Sequence, residues 1–204
     1  LAASALVMTW LTARELNTPD AISQTFDAVF HLNAVEWILR TGNASSVRCH
    51  LESPDGSFYP MGWHTLVALT MRLTGSTSIP MTTNATAIAV SALVWPSGCL
   101  ALTSRILDRR RLAMVATAFL CTATTAFPLL LLSFGVLYPN FLSVALLPAL
   151  LAAARELVPT AGARPTGLVL PAGALGVGGL GLTQPNTAAT LLLALVILTA
   201  ARLA

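Results

Sequence analysis

The chain has no lysine at all, and only 9% of its 204 residues are charged. An average soluble domain carries roughly 25% charge, so this chain cannot cover a globule in the usual way. Aromatic residues are few, at 6%, whereas hydrophobic residues make up 55%. That balance excludes a disordered segment, a coiled coil and a small disulfide scaffold. The three cysteines, Cys49, Cys99 and Cys121, show no CxxC or Cys/His spacing, so neither a zinc site nor a disulfide framework is read from them. GxSxG, HExxH and P-loop patterns are also missing. The spaced glycines of Gly176–Gly181 follow no strand pattern, so they read as helix packing and not as a nucleotide fingerprint.

What is present is a mean hydropathy of +0.76, arranged in runs. A bilayer span needs roughly 20 mostly apolar residues. Leu1–Ala13 reads as the end of a truncated first span, followed by spans at Asn84–Leu107, Leu112–Leu132, Val136–Ala154, Thr166–Leu182 and Thr187–Ala201. Trp95-Pro96 predicts a kink, and Ala174 with Gly178 predicts close helix contact. The expected fold is all-α, a polytopic transmembrane bundle with amphipathic interfacial helices in its first outer loop. Residues 1–13, 14–83 and 84–204 are its span end, its outer loop and about five spans, all within a fragment of one membrane domain.

The net charge of +3 would hint at nucleic acid in a soluble protein. Here the arginines read as topology, with no nucleic-acid partner. Arg109–Arg111, Arg155 with Arg164, and Arg202 fall on one side if the spans alternate, and positive-inside makes that side cytoplasmic. The 14–83 loop is then extracytoplasmic. It holds Asp20, Asp27, Glu36, Glu52 and Asp55 and every histidine: His31, His50 and His64.

Within that loop, Thr18, Pro19 and Asp20 predict a helix start and Gly42 a stop. Phe26, Phe30, Asn33 and Trp37 recur at helical spacing between them. Met61–Leu73 is apolar but too short to cross, so it reads as interfacial or re-entrant. Asp27 and His31 are four apart on one helix edge, and Glu36 and Arg40 are four apart on the opposite edge. The second pair satisfies itself; the first has no cation. Tyr59, Trp63, His64, Tyr138 and Asn140 reach the same outer face. Asn43-Ala44-Ser45 and Asn84-Ala85-Thr86 match the N-glycosylation acceptor.

The pattern Phe26-Asp27-Ala28-Val29-Phe30-His31, then Gly42, then Tyr59-Pro60 and Trp63-His64, resembles the first outer loop of GT-C-type polytopic glycosyltransferases, especially large actinobacterial membrane proteins. The resemblance implies sugar transfer from a polyprenyl-phosphate-linked donor to a cell-envelope glycan or protein, at the outer face of a bacterial plasma membrane. It implies Asp27 as general base with His31 in the catalytic pair, and His64, Tyr59, Trp63, Tyr138 and Asn140 as substrate contacts. No adjacent acidic pair occurs, a departure from several GT-C families, so no ligand motif supports a divalent metal and the cofactor is left open. Two other readings stand beside it. A transporter or flippase-like carrier would use the proline-broken spans (Pro96, Pro128, Pro148), although nothing charged lies mid-span. A non-catalytic scaffold would use only the outer loop.

Overall fold

The computed structural model describes residues 1–51, 55–107, 109–157 and 169–203. Glu52, Asp108, Arg164 and the first residues of the predicted Thr166–Leu182 span lie outside them. Among the described residues all regular structure is helical, with one isolated antiparallel bridge between Cys49 and Ser57. The helices are α1 (Ala2–Leu16), α2 (Ala28–Thr41), α3 (Gly62–Thr74), α4 (Ile79–Ala89), α5 (Trp95–Ile106), α6 (Arg111–Leu120), α7 (Leu131–Ser133), α8 (Tyr138–Leu157), α9 (Val169–Thr183) and α10 (Pro185–Leu203).

A helix start in the outer loop differs from the expectation. Residues 18–27 form turns and coil, and α2 begins only after Asp27, its N-cap residue. Thr18 Oγ1 instead donates to Asp20, and the carbonyls of Pro19 and Ala21 accept from Asn84 Nδ2. Those tertiary bonds hold the backbone in an open path that local capping alone would have closed into a helix. Phe26 therefore stands outside α2 and is 95% exposed. The predicted stop is as expected: Gly42 ends α2 in the left-handed region at φ 72°. Glu36 and Arg40 pair on the exposed side, as their spacing implied.

Ser78 caps α4 by accepting from Met81 N, with Pro80 in the first turn. Helix α4 then runs into α5 through a π-helical turn at Val90–Val94, just before Pro96, whose missing N–H removes an α-type bond there. Ile79–Ile106 is thus one apolar rod of 28 residues, and Tyr138–Arg155 is a second of 18. Both are long and apolar enough to cross a membrane. The expected Leu112–Leu132 span is divided: α6 ends at Leu120, a turn follows, and a π-helical turn at Ala126–Leu130 leads into α7. Phe127 has extended angles there and precedes the imino nitrogen of Pro128, which interrupts the helical ladder.

Helix α8 is the hub, packing against α5, α9 and α10, while α2 packs on α3 and α1 lies along the π-turn of the long rod. The main core joins Met8, Val35, Trp63, Val67, Val90, Phe127 and Phe141; a smaller one joins Ala154, Leu180 and Leu191. Gly98 lets α5 approach α8 closely, since a Cβ there would lie 3.1 Å from the Ala149 nitrogen. The expected contact through Ala174 and Gly178 is replaced by one through Gly176, which faces Leu150, while Gly178 faces open space. One end of the bundle gathers α2, α3 and the turns at 17–27, 133–138 and 183–185. The bonds of Asn84 to the 17–27 segment, of Ser46 Oγ to Leu182 O, and the seat of Gly62 against Thr183 tie that end together.

Candidate functional site

At this end, α2 and α3 each deliver one histidine into their shared interface. His31 Nδ1 and His64 Nε2 lie 2.9 Å apart, and the rings are nearly parallel with centroids at 5.1 Å. His31 is 4% exposed and His64 0%. The His31 ring also bonds to the Val136 backbone in the sense that favours its protonation, so the ring donates to a carbonyl. With Nδ1 facing His64, the donor is Nε2. We assign the tautomers accordingly: His64 Nε2–H donates to His31 Nδ1, which leaves His64 Nδ1 with a lone pair. That nitrogen is buried without a hydrogen-bond partner.

Burial pushes the His31 imidazole down to about 4, although the Asp27 charge and the Val136 bond act the other way. Burial, with His31 as a neighbour, pushes His64 down to about 3. Both are neutral at physiological pH. Neutral imidazoles offer no positive charge to a phosphate, and His31 keeps only a sliver of exposed surface and His64 none. Asp27 is half-buried at the N-cap of α2, its Oδ2 3.8 Å from where a Gly135 Cβ would stand. Gly135 itself has φ 83°, a conformation that glycine adopts freely.

Aromatic rings enclose the imidazoles. Phe30 and Tyr59 have centroids 4.7 Å apart, and Tyr59 lies 5.8 Å from His64. Tyr138 meets His31 edge-on at 5.3 Å and stacks on Trp63 at 4.9 Å. From Trp63 the series continues through the buried Phe141 and Phe127 to the half-buried Trp95 at the margin of the core. Trp63 is completely buried, and its Nε1 has no hydrogen-bond partner. Trp63, read from the sequence as a substrate contact, is placed in the core, stacked on Tyr138 and away from the surface. His64 is likewise a buried group behind the site wall. Asn140 is half-buried on α8, outside the cavity wall described next.

Beside Tyr138 opens a cavity of about 290 Å³, walled by Glu15, Asn17, Ser23, Gln24, Asn84, Ser133 and Tyr138 among others. An apolar cavity of about 200 Å³ between α1 and α4 shares Leu16, Asn17 and Asn84 with it. A polar chamber and an apolar slot thus adjoin through one common wall. Asn84 is 3% exposed and donates both to Pro19 O and to Ala21 O, so its acceptor motif is structural in this fold. Glu15 was not among the sequence candidates; the signal that could have found it is its place as the first acid after the first apolar run. Ser23, Gln24 and Asn84 carry no motif and were legible only in three dimensions. Among the described residues no group of three metal-ligating side chains occurs.

Among the described residues, these features define an all-helical protein with two membrane-length apolar rods and an acid-rimmed cavity backed by a neutral histidine pair. The chain belongs to DUF6541, a family of unknown function, which matches it over residues 1–204. No curated protein and no solved structure matches the chain.

Proposed function

We propose that the protein is a multi-pass membrane transferase of the GT-C kind, acting on a polyprenyl-phosphate-linked sugar at the extracytoplasmic face of the plasma membrane. The observation that carries this reading is the adjoining pair of cavities. An amphiphilic donor needs a polar chamber for its sugar and an apolar slot for its tail, and the walls of Glu15, Ser23, Gln24 and Asn84 beside the α1/α4 slot supply both. Exposed apolar side chains on the outer helices, such as Leu112 (82%), Leu175 (77%) and Leu6 (72%), support burial in lipid. Interhelical hydroxyl bonds, Thr12 to Ser91 and Ser143 to Thr187, are polar contacts suited to a medium without water.

The chemistry divides accordingly. Transfer from a phosphate-linked sugar needs an acceptor hydroxyl to lose a proton while the phosphate leaves. In this reading Asp27, half-buried next to Gly135 and just outside the residues that line the chamber, is the general base, and Glu15 lies on the chamber's rim to hold sugar hydroxyls. The neutral His31–His64 pair is a positioning element: it braces α2 against α3 and holds Val136 at the chamber wall. The envelope glycan or protein acceptor would enter from the outer side.

The test is sugar transfer by the full-length protein in membranes supplied with a polyprenyl-phosphate-linked donor. Asp27→Asn should lower kcat on the order of 100-fold at unchanged protein level. Unchanged transfer by that variant sinks the base assignment, and no transfer by the unaltered protein from any such donor sinks the enzyme reading.

A further inference from the structure

A threonine inside a helix can donate its hydroxyl proton to the carbonyl one turn back. On α4, Thr82 and Thr86 do so, donating to Ser78 O and Thr82 O. Thr83 between them does not: it is 2% exposed, and its Oγ1 is buried without a hydrogen-bond partner. A buried hydroxyl left unpaired costs stability, and a ligand that supplies the partner recovers it. Thr83 walls a recess of about 10 Å³ together with Asn84 and Tyr138, and its side chain is too short for the hydroxyl to lie far from that wall. Asn84 and Tyr138 also wall the polar chamber, so the recess adjoins it through them. Both are buried. Asn84 spends its two amide protons on Pro19 O and Ala21 O, which leaves Oδ1 as an acceptor. The Tyr138 hydroxyl has no hydrogen-bond partner among the described residues.

The recess thus brings together two hydroxyls, each able to donate and accept, and one amide acceptor. Its volume suits a single water-sized group. A sugar hydroxyl is of that size, whereas a carboxylate or an acetamido group is larger. The chamber in front carries Glu15 and no basic side chain in its wall, which disfavours an anionic sugar. We propose that the recess is a hydroxyl subsite, in which Thr83, Asn84 and Tyr138 hold one hydroxyl of an uncharged sugar and reject the analogue that lacks it. Such a site discriminates because the deoxy analogue leaves its buried polar groups unpaired. The proposal deepens the donor-chamber reading above and rests on it for the entry of a sugar, not for the transfer step.

The experiment uses the full-length protein in nanodiscs and reads binding, not turnover. Hexyl glycosides of glucose, galactose, mannose and arabinose are titrated calorimetrically beside hexyl glucuronide, empty nanodiscs correcting for partition into lipid. One or more neutral glycosides should bind about 10-fold more tightly than the glucuronide. Binding by none of them, or equal binding of the glucuronide, overturns the substrate class. Monodeoxy derivatives of the tightest glycoside follow. One should bind about 10-fold more weakly than its parent, and Thr83→Val should bind the two equally. Thr83→Ser, which restores a hydroxyl, should recover the difference. Tyr138→Phe, which keeps the ring for its stack on Trp63, should narrow it. A deoxy penalty that survives intact in Thr83→Val or Tyr138→Phe overturns the subsite. Thr83→Val should also keep or raise the Tm, because the hydroxyl makes no bond within the fold. A lowered Tm would mean that the recess holds a structural water only, and overturns the proposal. Transfer is scored separately. Hydroxyl-dependent binding without transfer sinks the enzyme reading and leaves the subsite standing, and transfer without that dependence does the reverse.

Discussion

His31 and His64 are held neutral by burial, and that choice makes the fold sensitive to acid. Their folded values of about 4 and about 3 lie below the ordinary 6.5. Between those limits the unfolded chain binds protons that the folded chain refuses, so stability is complete above the ordinary value and falls as pH drops. Each imidazole contributes a slope of about 1.4 kcal/mol per pH unit until its own folded value is reached. Thermal unfolding followed by tryptophan fluorescence, from about pH 7 to about 5, should show a falling Tm. His64→Gln keeps an N–H donor to face His31 Nδ1 but cannot titrate, so it should roughly halve the slope; an identical slope would refute the assignment. Asp27 and His31 were legible in the sequence because four residues is one helical turn. That His31 meets His64, 33 positions away, was not, since no local spacing encodes the docking of α2 on α3.

Among the elements, α8 sets the packing, and glycines decide where its neighbours approach. A side chain at Gly98 would press on the backbone of α8, whereas one at Gly178 would meet nothing within 4 Å. Gly98→Val should therefore destabilise the protein by about 1–3 kcal/mol through overpacking. Gly178→Ala should be neutral or stabilising by roughly 0.5–1 kcal/mol, because alanine restricts the unfolded chain and favours helix. Denaturation of the two variants side by side checks the pair; equal losses would mean that α9 has a contact on that face. The small-xxx-small spacing correctly marked α9 as a glycine-rich helix but chose the wrong face. Spacing defines which residues share a face, and only the partner helix defines which face is covered. The α2 start failed for a related reason: Thr18-Pro19-Asp20 is a good cap by itself, but Asn84 captures the backbone carbonyls on either side of Asp20.

For the whole molecule, the proposed topology places 14–83 outside and Arg109–Arg111 inside. In a full-length background with Cys49, Cys99 and Cys121 replaced by serine, Thr77→Cys should react with an impermeant maleimide in intact cells. Arg110→Cys should react only after permeabilisation, both positions being exposed in the fold. The reverse pattern would invert the assignment and move the acid-rimmed chamber to the cytoplasm. Composition was sufficient for the helical class, because long apolar runs in a chain with 9% charge leave few other ways to satisfy the backbone. The apolar runs at Asn84–Leu107 and Val136–Ala154 located the rods Ile79–Ile106 and Tyr138–Arg155, within two residues at three of the four ends but five residues late at the start of the first.

The sequence by itself determined where the apolar rods lie, where α2 stops and which end of the bundle carries the histidines. Each of these depends on residues near one another in the chain. The tertiary structure alone decided that Trp63 is core, that the two imidazoles share one proton between facing nitrogens, and that Glu15, Gln24 and Asn84 wall one chamber. Those outcomes depend on the docking of separate helices, and docking is settled by the shapes of whole faces, which no short spacing records.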